Sequence, residues 1–131
     1  MRPGVIGRLG LDYPALSQVN PALVYCSLSG FGQEGPLSHR PAYDHVIQGI
    51  SGIMSVNGHP GHDPVKVGVP FVDYACGVNA ALAVVSALHE VRRTGRGCYL
   101  DVAMLDGVLN LLSLAVVEYL NAGKVPRRIG N

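Results

Sequence analysis

The stretch "LVYCSLSGFGQEGP", residues 23–36, decides how the chain is read, because an apolar run ends in a literal G-x-G-x-x-G, Gly30 to Gly35. That spacing binds dinucleotides when a strand leads into a tight turn and then into a helix whose N-terminus faces a pyrophosphate. The strand half is present: Leu23, Val24 and Tyr25 suit a pleated surface. The helix half is not. Pro36 follows the last glycine, and Pro41 would fall inside any helix begun there and break it. The following "GIMSVNG" offers no carboxylate to hold a ribose. The stretch therefore reads as a strand leaving into a glycine-rich loop, and the role of the loop depends on its neighbours.

Working outward, 131 residues suit one domain with a core of reasonable size. Only 15% of residues are charged, against 48% hydrophobic, where soluble domains usually carry about 25% charged. So few charges suggest apolar surface meant for a partner chain or for more of the same chain. A net charge of +1 without a basic run gives no electrostatic case for nucleic acid. The most apolar run, Val78 to Leu88, is short for a membrane span and contains Asn79 and Ser86, and "MRPGVIGRLG" lacks a long apolar leader. No membrane association is expected. Three cysteines, at 26, 76 and 98, without C-x-x-C spacing read as buried, reduced thiols in a cytosolic protein.

Along the chain, "DYPALSQVNP" predicts a short helix capped by Asp12 and ended at Asn20-Pro21. Tyr43, Val46, Ile47, Ile50 and Met54 predict a helix over about 43–54 by their spacing. "VKVGVPFV" is extended, although Pro70 discourages a central ladder position. A long helix runs from Asp73 to Arg93 and stops at "TGRG"; "CYLDVAM" is a strand, and "LDGVLNLLSLAVVEYLNAG" is a final helix stopped by Gly123. This alternation predicts an α/β fold of layered helices and short strands.

Asp73 stands out among the carboxylates. It lies between the apolar "VPFV" and a helix rich in Ala and Gly, where free N–H groups and the helix dipole favour its charged form. Taken by itself, such a residue reads first as an ordinary helix cap, and a cap flanked by apolar residues can also be a partly desolvated nucleophile.

The segments around Asp73 resemble the family III CoA-transferases, the group that also holds α-methylacyl-CoA racemase. "RPGVIGRLGLDYPALSQVNPALVYCSLSGFGQEGP", "RPAYDHVIQGISGIMSVNG", "VGVPFVDYACGVNAALAVVSALHEVRRTGRG" and "YLDVAMLDGVLNLL" are similar, in unbroken order, to the family's motifs. The resemblance implies that the glycine loop shapes a coenzyme A site, and that Asp73 matches the family's nucleophilic aspartate. Asp73 would attack an acyl-CoA thioester and pass through a mixed anhydride to an aspartyl-CoA thioester, which a small carboxylic acid acceptor then discharges. Helix-terminal N–H groups near Asp73 would stabilise the oxyanions. The family's coenzyme A contacts match Arg2, Arg8, Pro41, Ala42, Tyr43 and Asp44. The guanidinium groups suit phosphates; Tyr43 has a core-facing helical aromatic as its plain reading, and Asp44 a cap on its own helix. The resemblance implies coenzyme A or acyl-CoA as substrate rather than a permanently bound cofactor, and an interlinked homodimer.

It also implies that residues 1–131 are a central part of the family's large Rossmann-like domain, without its N-terminal CoA-binding segment, small domain and C-terminus. The racemase branch places a histidine where this chain has Tyr43, with His45 two residues on, which favours transfer over racemisation. A non-catalytic assembly fragment is the alternative from another class. His59, His62 and Asp63 sit in a turn without established metal-ligand geometry, so no metal is expected, and Cys76 reads as a buried small hydrophobe.

Overall fold

The computed structural model describes residues 3–130. After a 3-10 turn at Gly7–Leu9 come α1 (Tyr13–Val19), β1 (Val24–Ser29), α2 (Asp44–Ile50), α3 (Ile53–Val56), α4 (Phe71–Thr94), β2 (Cys98–Ala103), α5 (Met104–Leu111) and α6 (Ser113–Ala122). The strands are parallel and in register from Val24 opposite Cys98 to Ser29 opposite Ala103, and α4 packs on both. This is a βαβ unit, as an α/β alternation requires. Gly97 makes the pairing possible: its N–H donates to the Pro21 carbonyl at 2.8 Å, and a Cβ there would collide with the Leu23 backbone.

Local signals act as read. The Asp12 carboxylate accepts from the Ala15 N–H at 3.1 Å and caps α1. Gly95 and Gly123 end α4 and α6 in left-handed conformations (φ 70° and 65°), where a Cβ would be strained. Tyr25 and Tyr99 are register partners, and Tyr13 of α1 joins them with ring centroids 5.6–6.1 Å apart.

Three expectations need correction. The helix over 43–54 is divided at Gly52, whose φ of 83° starts α3 afresh. Among the described residues the segment 65–72 pairs with no strand. Val65 and Val67 donate instead to the Met54 carbonyl and the Gln48 side chain, at 3.3 and 2.8 Å, and α4 begins two residues before Asp73, at Phe71. The final helix bends by 72° between α5 and α6. Leu112 at the bend is buried, with φ −86° and ψ 11°.

The core is the junction of α2, α4 and α5: Ile47, Val72, Cys76, Met104, Val108 and Leu112, with Leu28 and Phe31 packed against it. Gly107 lets α5 approach α4, since a Cβ there would lie 2.6 Å from the Cys76 sulfur. By length and composition alone α4 is apolar enough to cross a membrane, contrary to the reading of Val78–Leu88 as too short. Its packing on both strands and on α5 accounts for one face, while most of the apolar stretch stays exposed in this chain.

Candidate active site at the N-terminus of the long helix

The site is built where β1 ends and α4 begins. After Ser29 the chain turns through the glycine loop without forming a helix before Asp44, so the geometry of a dinucleotide fingerprint is missing. The loop is held by its backbone. The Gly30 carbonyl accepts from the Leu105 N–H at 3.1 Å, and the Gln33 N–H donates to the Asp101 carboxylate at 2.7 Å. Gly30 lies so close to Ala42 that an added Cβ would overlap the alanine methyl. That contact brings Pro41, Ala42 and Tyr43 to the C-terminal end of β1. There they line a cleft of about 310 Å³ with Ser29, Ser38 and Arg40. Open α/β sheets hold ligands at this end of their strands.

Tyr43 is 69% exposed and its ring stacks on His45, with centroids 6.1 Å apart and planes 5° from parallel. It is the residue preceding α2, in extended conformation. Its ring therefore does not follow helical spacing and does not face the core, as its plain reading had it. Arg8 is exposed in the turn Gly7–Leu9 and does not line the cleft; Arg2 lies outside the described residues. Ser29, which lacks a G-x-S-x-G nucleophile elbow in the sequence, has a buried hydroxyl oxygen without a hydrogen-bond partner among the described residues, and Arg40 is the lining residue that sequence reasoning passed over.

The residue after Tyr43 changes the reading of the helix terminus. Asp44 is only 8% exposed and does not cap its own helix. Its Oδ2 crosses to α4 and accepts from the N–H groups of Val72 and Asp73 at 2.8 and 3.1 Å. Asp73 is accordingly not the cap but the third residue of the helix, with its side chain exposed. Phe71 and Tyr74 donate to the carbonyls of Val69 and Pro70 at 2.8 and 3.2 Å. Pro70 at the cap position has no N–H and the Tyr74 bond is the first of the helix's own, so all three donors that this helix start leaves over are taken. The expectation that they would serve as oxyanion donors is corrected: Asp44 occupies two, and the Val69 carbonyl the third.

Partial desolvation, and then the Asp44 charge, raise the Asp73 carboxyl above its ordinary value. Asp73 is therefore an exposed carboxylate on a fixed backbone, more basic than an ordinary aspartate. One turn on, Cys76 is buried with its sulfur 3.6 Å from the Met104 carbonyl, and burial, Asp73 and Asp44 together push its thiol up. It is the core residue its sequence position suggested, whereas Cys26 and Cys98, expected to be buried as well, lie on the two strands and are only half-buried.

The profile of CoA-transferase family III matches residues 1–131. The acetyl-CoA:oxalate CoA-transferase of Acetobacter aceti is 47% identical over 99% of this chain and 34% of its own length. The succinyl-CoA:glutarate CoA-transferase of Homo sapiens is 36% identical over 98% of this chain and 29% of its own. A crystal structure of a CAIB/BAIF family protein from Brucella suis superposes on the whole chain with a TM-score of 0.96 at 42% identity, over 35% of that protein. The chain spans about a third of the length of these relatives. With the motifs, the fold and a profile match from end to end all in agreement, the chain belongs to CoA-transferase family III.

Proposed function

We propose that the protein carrying this chain moves coenzyme A from an acyl-CoA to a small dicarboxylic acid, with Asp73 as the covalent nucleophile. The observation that carries the reading is Asp73 itself: an exposed carboxylate of raised basicity on a helix start locked by Asp44, the residue that directly follows the cleft-lining 41–43 segment. The acceptor class rests on relatives named for oxalate, glutarate, D-citramalate and L-malate.

The Asp73 carboxylate attacks the thioester carbonyl and expels CoA thiolate, leaving an acyl–aspartyl anhydride. The thiolate then attacks the aspartyl carbonyl, releasing the donor acid as its carboxylate and forming an aspartyl-CoA thioester. The acceptor carboxylate displaces the thiolate through a second anhydride. Thiolate attack on the acceptor's carbonyl yields the new acyl-CoA and returns Asp73. Each step breaks one activated acyl bond and makes another, which is how covalent catalysis divides a difficult exchange. Pro41, Ala42 and Tyr43 border the coenzyme's reactive end, and Arg2 and Arg8 pair with its phosphates. Asp44 acts from behind the helix start.

We place the enzyme in the cytoplasm, in keeping with three free thiols, and as a homodimer. The apolar side chains that α4 leaves exposed, among them Tyr74, Val78, Leu82 and Val85, supply the contact surface such an assembly needs.

Incubating the complete polypeptide with acetyl-CoA or succinyl-CoA and weighing it by mass spectrometry tests the chemistry. Wild type should gain a covalent CoA that hydroxylamine removes, while Asp73→Ala gains none and loses at least about 10³-fold in turnover. An adduct of equal extent on Asp73→Ala would sink the assignment.

A further inference from the structure

We infer that Gln48 is a positioning residue for Asp73: its side-chain amide fixes the Asp44 carboxylate that holds the nucleophile's helix start, and ties that carboxylate to the segment leading into the helix. The inference rests on the reading of Asp73 as nucleophile.

Gln48 is 1% exposed, one turn after Asp44 on α2. Its Nε2 donates to Asp44 Oδ1, while its Oε1 accepts from the Val67 N–H at 2.8 Å. Nε2 also lies 3.5 Å from the Val67 carbonyl. The amide can be oriented in only one way. Turned over, it would set its NH₂ against the Val67 N–H and its oxygen against a carboxylate. The orientation found gives Asp44 Oδ1 a donor and leaves Oδ2 free for Val72 and Asp73. Val67, Gln48, Asp44 and Asp73 thus form one continuous chain of hydrogen bonds.

A buried glutamine is an expensive core residue unless both ends of its amide are paired. An isoleucine or leucine fills such a position more cheaply when packing is all that is needed, as Ile47 does beside it. Here each end of the amide serves a different element, and both elements flank the start of α4. Without the amide the Asp44 carboxylate is free to rotate, and the Asp73 backbone moves with it. Displacements of about 1 Å in a reacting group reduce rates by about 10²-fold.

The test uses the complete polypeptide. Gln48→Met keeps the volume and removes both hydrogen bonds. Gln48→Glu keeps an acceptor for Val67 but sets two carboxylates face to face. The pair Asp44→Asn with Gln48→Glu reverses the polarity of their contact: the asparagine amide donates to the glutamate, and its oxygen still accepts from Val72 and Asp73. Gln48→Met and Gln48→Glu are expected to slow formation of the Asp73–CoA adduct about 10²-fold, with the KM for acyl-CoA within about twofold of wild type. The double variant should recover at least about tenfold of the Gln48→Glu loss. Amide exchange at Val67, Val72 and Asp73 should quicken together in both single variants and slow again in the double one.

Adduct formation within twofold of wild type in Gln48→Glu overturns the inference. So do unchanged exchange rates at Val72 and Asp73, or a loss that the double variant does not recover. A wild type that never forms an adduct at Asp73 defeats the transferase reading instead. The exchange data would then still decide whether Gln48 holds the helix start.

Discussion

The two ends of α4 live under different rules. Over its first turn and a half, Val72 and Cys76 are fully buried against α2 and α5, and every leading N–H has an acceptor. Beyond that, the same helix exposes Val78, Leu82, Val85 and Leu88, and α6 likewise exposes Leu114, Val117 and Leu120. Their apolar residues are of the same kinds, so composition does not separate them. The difference is that the N-terminal end, Tyr74 apart, is completed by this chain's own contacts, whereas the far end leaves these apolar side chains uncovered. The chemistry is proposed at the completed end, where precision of position matters most.

The strongest blow to the comparison is a cavity at the completed end. Ile47 is fully buried at the centre of the junction, and Ile47→Ala should cost about 2–5 kcal/mol by denaturant unfolding. That is a large part of the about 5–15 kcal/mol on which a domain folds. A loss below about 1 kcal/mol would mean that the junction is not the core.

A finer test addresses the two carboxylates that meet there. Folding raises the Asp73 carboxyl, through partial desolvation and then through the Asp44 charge. Its protonated form is thus favoured in the folded state. That favourable contribution is complete below the unfolded carboxyl value and is lost as pH rises through the raised one. The nucleophile must be ionised, so the rate of adduct formation should climb with pH through that raised value. Asp44→Asn removes the neighbouring charge, and the acidic limb of the pH–rate profile should move toward lower pH. A limb that stays in place or moves up would show that Asp44 does not set the basicity of Asp73.

How much of this was legible in the residues follows from how far each signal reaches. The caps of Asp12, Gly95 and Gly123 act within one turn, and all were readable. The two strands and the long helix carrying Asp73 were readable as a pattern of alternation, while the parallel pairing of the strands came from the structure. The trans cap was not, because Asp44 and the N–H groups it binds are 28 and 29 residues apart. A local reading assigns such an aspartate to its own helix. Gln48 was hidden for the same reason, its partner Val67 lying 19 residues away. The bend at Leu112 escaped because apolar residues continue through it without Gly or Pro, and tertiary burial of Leu112 decides the break. The motif resemblance pointed to Asp73 and to residues 41–44. It did not say that Asp44 faces the helix start and that Tyr43 faces out.

The smallest effect belongs to the other end of α4. Leu82 is 66% exposed in the middle of the helix, and both leucine and glutamate are good helix formers. In the 131-residue chain Leu82→Glu removes little buried area, and exposed substitutions usually change stability by less than about 0.5 kcal/mol. Unfolding of the chain should therefore be unaffected within that margin. The complete polypeptide, proposed above to be a homodimer, should respond differently. A carboxylate set into an apolar contact is desolvated without a partner, so size-exclusion chromatography with light scattering should show a shift toward monomer. If the variant leaves both stability and association unchanged, the exposed face of α4 is solvent surface in the assembly too, and the difference between the two ends of the helix has no consequence beyond this chain. A stability loss above about 1 kcal/mol in the chain alone would be worse for the comparison, since Leu82 would then already be packed and the completed region would extend along the whole helix.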